Sequence, residues 1–77
     1  MTPTQLRNIA TAAYGKDWKY PLADDTAISR AMLWRYQHGH TRISDEIRER
    51  VIKACKRRIA EKVEKLQAVL AKLELAA

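Results

Sequence analysis

The sequence predicts an all-α chain, and three observations lead there. The 77 residues include only two glycines, two prolines and no phenylalanine, while Ala, Leu, Lys, Arg and Glu, which lose least on entering a helix, are abundant. Apolar residues recur every three or four positions, the spacing of one helix face. From Ser44 to Leu75 neither Gly nor Pro interrupts the chain. A chain of this size forms one small domain that buries about 60% of its unfolded surface, so a partner subunit is an expected further source of burial.

The first helix is expected to start at a Thr4 cap and to bury Leu6, Ile9, Ala10 and Ala13, which follow the i, i+3, i+4, i+7 pattern. Gly15 ends it. Asp17 can cap the second helix, whose start lies between Trp18 and Pro21, because an interior proline removes a backbone donor and clashes with the preceding turn. Thr26 and Ala27 form the next turn, Ser29 caps the third helix, and Gly39 stops it after Tyr36-Gln37-His38. His40-Thr41-Arg42-Ile43 is a short loop.

Ser44, followed by Asp45 and Glu46, joins a side-chain cap to acids that oppose the positive end of the helix dipole. The fourth helix then runs for roughly 47 Å at 1.5 Å per residue. Glu46 with Arg50, Glu49 with Lys53 and Glu61 with Lys65 are spaced as i, i+4 ion pairs, each worth about 0.3 to 0.5 kcal/mol. Its apolar residues form two sets. Ile47, Val51, Cys55 and Ile59 recur every four residues and suit packing beneath the short helices. Ile59, Val63, Leu66, Leu70 and Leu73 alternate by four and three, a heptad seam that calls for a second helix and is expected to dimerise. The expected organisation is a DNA-binding domain over 1–52 and a dimerising extension over 53–77.

The second and third helices organise the rest. Leu22, Ile28, Leu33 and Tyr36 supply an inward face, with small Ala23 where the two helices approach. Ser29, Arg30, Ala31, Trp34 and Arg35 then face outward together. Two arginines, an aromatic ring and small residues on one exposed helix face suit the major groove of DNA, particularly in a chain of net charge +6. An anionic membrane surface is the second-ranked partner for that charge.

At Trp18-Lys19-Tyr20-Pro21-Leu22-Ala23, Ile28-Ser29 and Leu33-Trp34-Arg35-Tyr36, the chain resembles small helix-turn-helix regulators of the lambda repressor and Cro type. Phage and mobile-element regulators, including anti-CRISPR-associated repressors, are of this kind. The resemblance covers about residues 4–52. It departs in the turn, where Thr26 and Ala27 stand in place of a large aliphatic and glycine; alanine tolerates a positive φ less well than glycine, by about 1 kcal/mol. The resemblance implies base contacts from Ser29, Arg30, Ala31, Trp34, Arg35 and His38, and phosphate contacts from Lys19, Tyr20 and Arg42. An arginine can bind guanine O6 and N7 bidentately, and Ala31 or Trp34 can meet a thymine methyl.

Plainer roles stand beside these. Arg30 and Arg35 also fit a solvated helix face. Trp34 also fits a packed or dimer contact, whereas Trp18 reads as core. His38 and His40 lack a Cys or acidic partner at ligand spacing and read as loop residues near phosphate. Cys55 lies on the inward stripe and reads as an inert buried residue. Lys53, Lys56, Arg57, Arg58 and Lys62 form a solubilising face or, with the seam, a basic-zipper arrangement that would place the long helix in the groove. That arrangement leaves the first 43 residues without a role.

The remaining features set limits. No apolar run approaches the roughly 20 residues needed to span a bilayer, and Met1-Thr2-Pro3-Thr4 has no signal-peptide character, so the expected location is cytoplasmic. One cysteine forms no internal disulfide and offers no metal-ligand spacing. No Ser/His/Asp, Cys/His or paired-carboxylate constellation is present, so neither enzyme activity nor a cofactor is expected. The expected function is a sequence-specific DNA-binding regulator, a dimeric repressor on an inverted-repeat operator. An antitoxin that masks a toxin with its C-terminal helix, and a protein-interaction adaptor, are the rivals.

Overall fold

The computed structural model describes residues 1–76; Ala77, the last residue of the expected extension, lies outside the described residues. Four helices follow in order: α1 (Pro3–Tyr14), α2 (Lys19–Thr26), α3 (Arg30–Gln37) and α4 (Asp45–Ala76). No strand occurs among the described residues. The all-α expectation of three short helices and one long one therefore holds.

Local chemistry accounts for most boundaries and corrects some expected ones. The cap of α1 is Thr2 and not Thr4: its hydroxyl accepts from the Gln5 N–H (3.1 Å) while the Gln5 side chain accepts from the Thr2 N–H (2.8 Å), a reciprocal capping box. Pro3 at the first helical position fixes this start, since its missing N–H costs nothing there. Gly15, at φ 88°, ends α1 with its N–H on the Thr11 carbonyl. Asp17 does not cap α2. That helix begins after Trp18 with no side-chain cap, and Pro21 is accommodated because the first-turn N–H groups have no intrahelical acceptor.

Ser29 caps α3, its hydroxyl accepting from the Met32 N–H at 3.2 Å, and Ser44 does the same for the Ile47 N–H at the start of α4. Glu46 pairs with Arg50 at 2.8 Å as expected. The other two expected ion pairs do not form: Glu49 meets Arg48 (3.0 Å) and Glu61 meets Arg57 (3.4 Å). These side chains are largely exposed, and such pairs exchange partners at little cost.

The core gathers Leu6, Ala10 and Ala13 from α1, Leu22 from α2, Leu33 and Tyr36 from α3, and Val51, Ala54 and Cys55 from α4, with Trp18, Ile28 and Ile43 from the connections. Alanines at three of these positions let helix backbones approach closely. Helix α4 packs on α1 and α2, and α3 packs on the same two helices, while no Cα of α3 comes within 8 Å of one in α4. Burial on α4 ends at Cys55, and the helix continues alone, which makes the molecule 52 Å long and about 20 Å across.

Candidate nucleic-acid interface

The α2–α3 connection is three residues long and depends on one strained position. Ala27 adopts a left-handed conformation, φ 58° and ψ 24°, the geometry that glycine supplies most cheaply. Thr26 before it is buried, and its hydroxyl donates to the Leu22 carbonyl (2.6 Å) and accepts from the Ile28 N–H (3.3 Å). A buried polar residue is thus fully bonded where an aliphatic would otherwise pack. Ile28 is buried beyond the turn, and α3 leaves with its outer face clear of the core.

All six expected base-contacting residues, Ser29, Arg30, Ala31, Trp34, Arg35 and His38, are exposed. Of the three expected phosphate contacts, Tyr20 and Arg42 are exposed and Lys19 is half-buried. Tyr20 and Arg30 come together: the guanidinium carbon lies 4.5 Å from the ring centroid, a cation–π contact across an open groove of about 820 Å³ between α2 and the start of α3. Asp24 also lines this groove. It places an acidic side chain on the same groove as Arg30.

The end of α3 folds back on itself. His40 donates its N–H to the Arg35 carbonyl (2.9 Å) and Gly39 to the Tyr36 carbonyl (3.3 Å), with Gly39 at φ 74°. This is the paired closure of a Schellman motif, and glycine is the residue that adopts its left-handed position without strain. The reversal has two consequences. It lays the His40 ring on Trp34, centroids 5.3 Å apart and planes 9° from parallel, and it brings the Thr41 hydroxyl 2.9 Å from Arg35 Nε, which donates to it. Holding Nε leaves the donors on both terminal guanidinium nitrogens of Arg35 without a partner among the described residues.

Trp34 is neither core nor fully solvated. At 48% exposure it presents one side of an aromatic cluster completed by His38, 4.3 Å away, and His40. His38 Nδ1 lies 2.8 Å from the Trp34 carbonyl; because a carbonyl only accepts, Nδ1 carries the proton in this bond. Trp18, by contrast, is buried in the core. Among the described residues no three His, Cys, Asp or Glu side chains gather as a metal site.

Charge separates along the chain. Residues 1–58 hold twelve Lys and Arg against six Asp and Glu, whereas 59–77 hold three of each. The whole excess of +6 therefore belongs to the packed helices and the α4 segment on them. Beyond it, the seam residues Ile59, Val63, Leu66, Leu70 and Leu73 expose 37–63% of their surface, with Val69 beside them at 54%.

Two groups lie off this surface. Tyr14 donates to Asp25 Oδ2 at 2.7 Å, and Arg58 lies over its ring, so α1, α2 and α4 are joined at one point. Burial, together with the Asp25 carboxylate, pushes the Tyr14 hydroxyl pKa well above the usual phenol range. Burial also pushes the Cys55 thiol up to about 11, as its place on the inward stripe leads one to expect. Among the described residues no helix is long and apolar enough to cross a membrane. The chain matches no protein-family profile, no curated protein and no solved structure.

Proposed function

We propose that this chain is a cytoplasmic, sequence-specific DNA-binding regulator that acts as a dimeric repressor, with the outer face of α3 in the major groove. The observation that carries this reading is the shared exposure of Ser29, Arg30, Ala31, Trp34, Arg35 and His38 on one short, N-capped helix. That helix projects from the part of the chain that holds all the excess positive charge. Arg35, held at Nε by Thr41, is suited to bidentate contact with guanine. Arg30 and Tyr20 flank the entry of the helix, where a phosphate contact would position it. The likeness to helix-turn-helix regulators of the lambda repressor and Cro type supports the same reading. In it the exposed stripe of α4 pairs two copies.

The basic-zipper alternative fits less well. Val51, Ala54 and Cys55 of α4 are committed to the core, so this face of the long helix is not free to enter a groove. An antitoxin or adaptor would use the same exposed stripe of α4 for a different protein.

Selection from a random pool of duplexes tests the proposal. Arg30→Ala and Arg35→Ala should each weaken binding to the selected site by about 1 to 3 kcal/mol and relax preference at particular base pairs. Arg42→Ala should weaken all sequences alike. If both α3 variants bind the selected site as tightly as the parent at equal salt, α3 is not the reading helix.

A further inference from the structure

We infer that the distal half of α4 pairs with a second copy of this chain as a parallel, two-stranded coil, with Lys56 on its axis. This rests on the dimer reading above and names the partner, the direction and the register. Three observations carry it.

The first is area. The six apolar side chains from Ile59 to Leu73 are between 37% and 63% exposed on a helix with no other cover. Together they amount to roughly 600 Å², as large as the largest apolar patches of ordinary monomers. Complete burial in two copies would remove about 1,200 Å², the lower limit of a specific interface. A second copy supplies a stripe of the same length and spacing.

The second is the choice of residues by position. The alternation by four and three places Val63 and Leu70 at a positions and Ile59, Leu66 and Leu73 at d positions. Val63 at a with Leu66 at d, at the centre of the stripe, is the combination that favours two strands over higher orders within a parallel coil. Continued towards the N-terminus, the register puts Lys56 at a and Ile52 at d. Lys56 is exposed and Ile52 half-buried. A single lysine at an a position costs stability but admits a dimer, in which its ammonium reaches water past the partner helix, and disfavours more crowded assemblies.

The third is the flanking charge. In a parallel pair Lys62 at g lies beside the partner's Gln67 at e, and Val69 beside the partner's Glu74. No like charges meet at these flanking positions, and the facing Lys56 side chains are the like-charge pair that the seam carries. Both positively charged ends then lie at the same end of the coil, where one duplex can reach them together.

Cysteine cross-linking decides the direction without using DNA. Full-length Leu73→Cys and Val63→Cys variants, checked for helicity, are oxidised separately and as a mixture; native Cys55 is buried and serves as the unreactive background. Parallel, in-register pairing links 73 to 73 and 63 to 63, and the mixture yields only same-site products by mass. An antiparallel pair that buries the same stripe sets 63 level with 73 of the partner. Dominant mixed 63–73 products would therefore overturn the inference while leaving a dimer in place.

Lys56→Leu provides a second readout, because removal of the on-axis charge should tighten association by about tenfold or raise its order. Unchanged association would place Lys56 outside the seam and overturn the register. A parent chain that sediments as a monomer at micromolar concentration would remove the dimer itself. Duplex selection would then still report on α3 separately.

Discussion

Replacing Ala27 with glycine should stabilise this protein, although it shortens a side chain. Ala27 is held at φ 58° and ψ 24°, a left-handed conformation that costs an L-residue about 1 to 2 kcal/mol. Glycine removes that cost but gives the unfolded chain more freedom, which offsets about 0.5 to 1 kcal/mol. The methyl group is exposed, so little packing is lost. The net gain should be about 0.5 to 1 kcal/mol, equivalent to a rise in melting temperature of about 2 to 8 °C for a domain of this size. Thermal and urea unfolding followed by far-UV circular dichroism measure it, at fixed protein concentration because pairing through α4 would shift the midpoint. Gly15→Ala provides a backbone contrast. Its added Cβ meets nothing within 4 Å, so any loss, expected to be about 1 to 3 kcal/mol, comes from a backbone at φ 88° and ψ −171°, a region essentially restricted to glycine. If Ala27→Gly lowers the midpoint with an unchanged urea slope, the turn is not strained at Ala27 and the reasoning fails.

Other outcomes follow from the same contacts. Tyr14→Phe removes the bond to Asp25 and should cost about 1 kcal/mol. Because the folded-state pKa of Tyr14 is raised, its contribution is complete below the ordinary tyrosine value of about 10 and is lost as pH rises above it; an alkaline unfolding profile that is identical in parent and Tyr14→Phe refutes this. The Cys55 thiol, pushed from 9.0 to about 11, should react with a disulfide reagent near pH 8 about a hundredfold more slowly in the folded protein than in urea. Equal rates would mean that Cys55 is not sequestered. Thr41→Val should leave stability within about 0.5 kcal/mol but free the Arg35 side chain and relax base preference at the position read by Arg35. Loss of affinity that is uniform across all sequences would show that Thr41 does not act through Arg35.

Much of the fold was legible because helices are written in short-range signals. The stripe Leu6, Ala10, Ala13, the caps Ser29 and Ser44, the stops at Gly15 and Gly39, and the run of α4 unbroken by Gly or Pro each depend on residues within a few positions of one another. Those signals also located the outward face of α3, since fixing Leu33 and Tyr36 as inward leaves Arg30, Trp34 and Arg35 outward on a helix. They misplaced the first cap by two residues because both Thr2 and Thr4 are good caps, and the choice fell to the reciprocal bond with Gln5.

Tertiary structure decided what depends on chain reversals and on neighbours distant in sequence. The anchoring of Arg35 by Thr41 and the stacking of His40 on Trp34 arise where Gly39 turns the chain back over α3. The Tyr14–Asp25 bond joins helices eleven residues apart. The packing of both α3 and α4 on α1 and α2 follows from where their apolar faces find mutual burial. Helix identity is governed by the backbone and its nearest side chains, so sequence spacing reveals it. A contact between side chains on different elements also depends on crossing angles and loop geometry, which are settled only when the whole core closes.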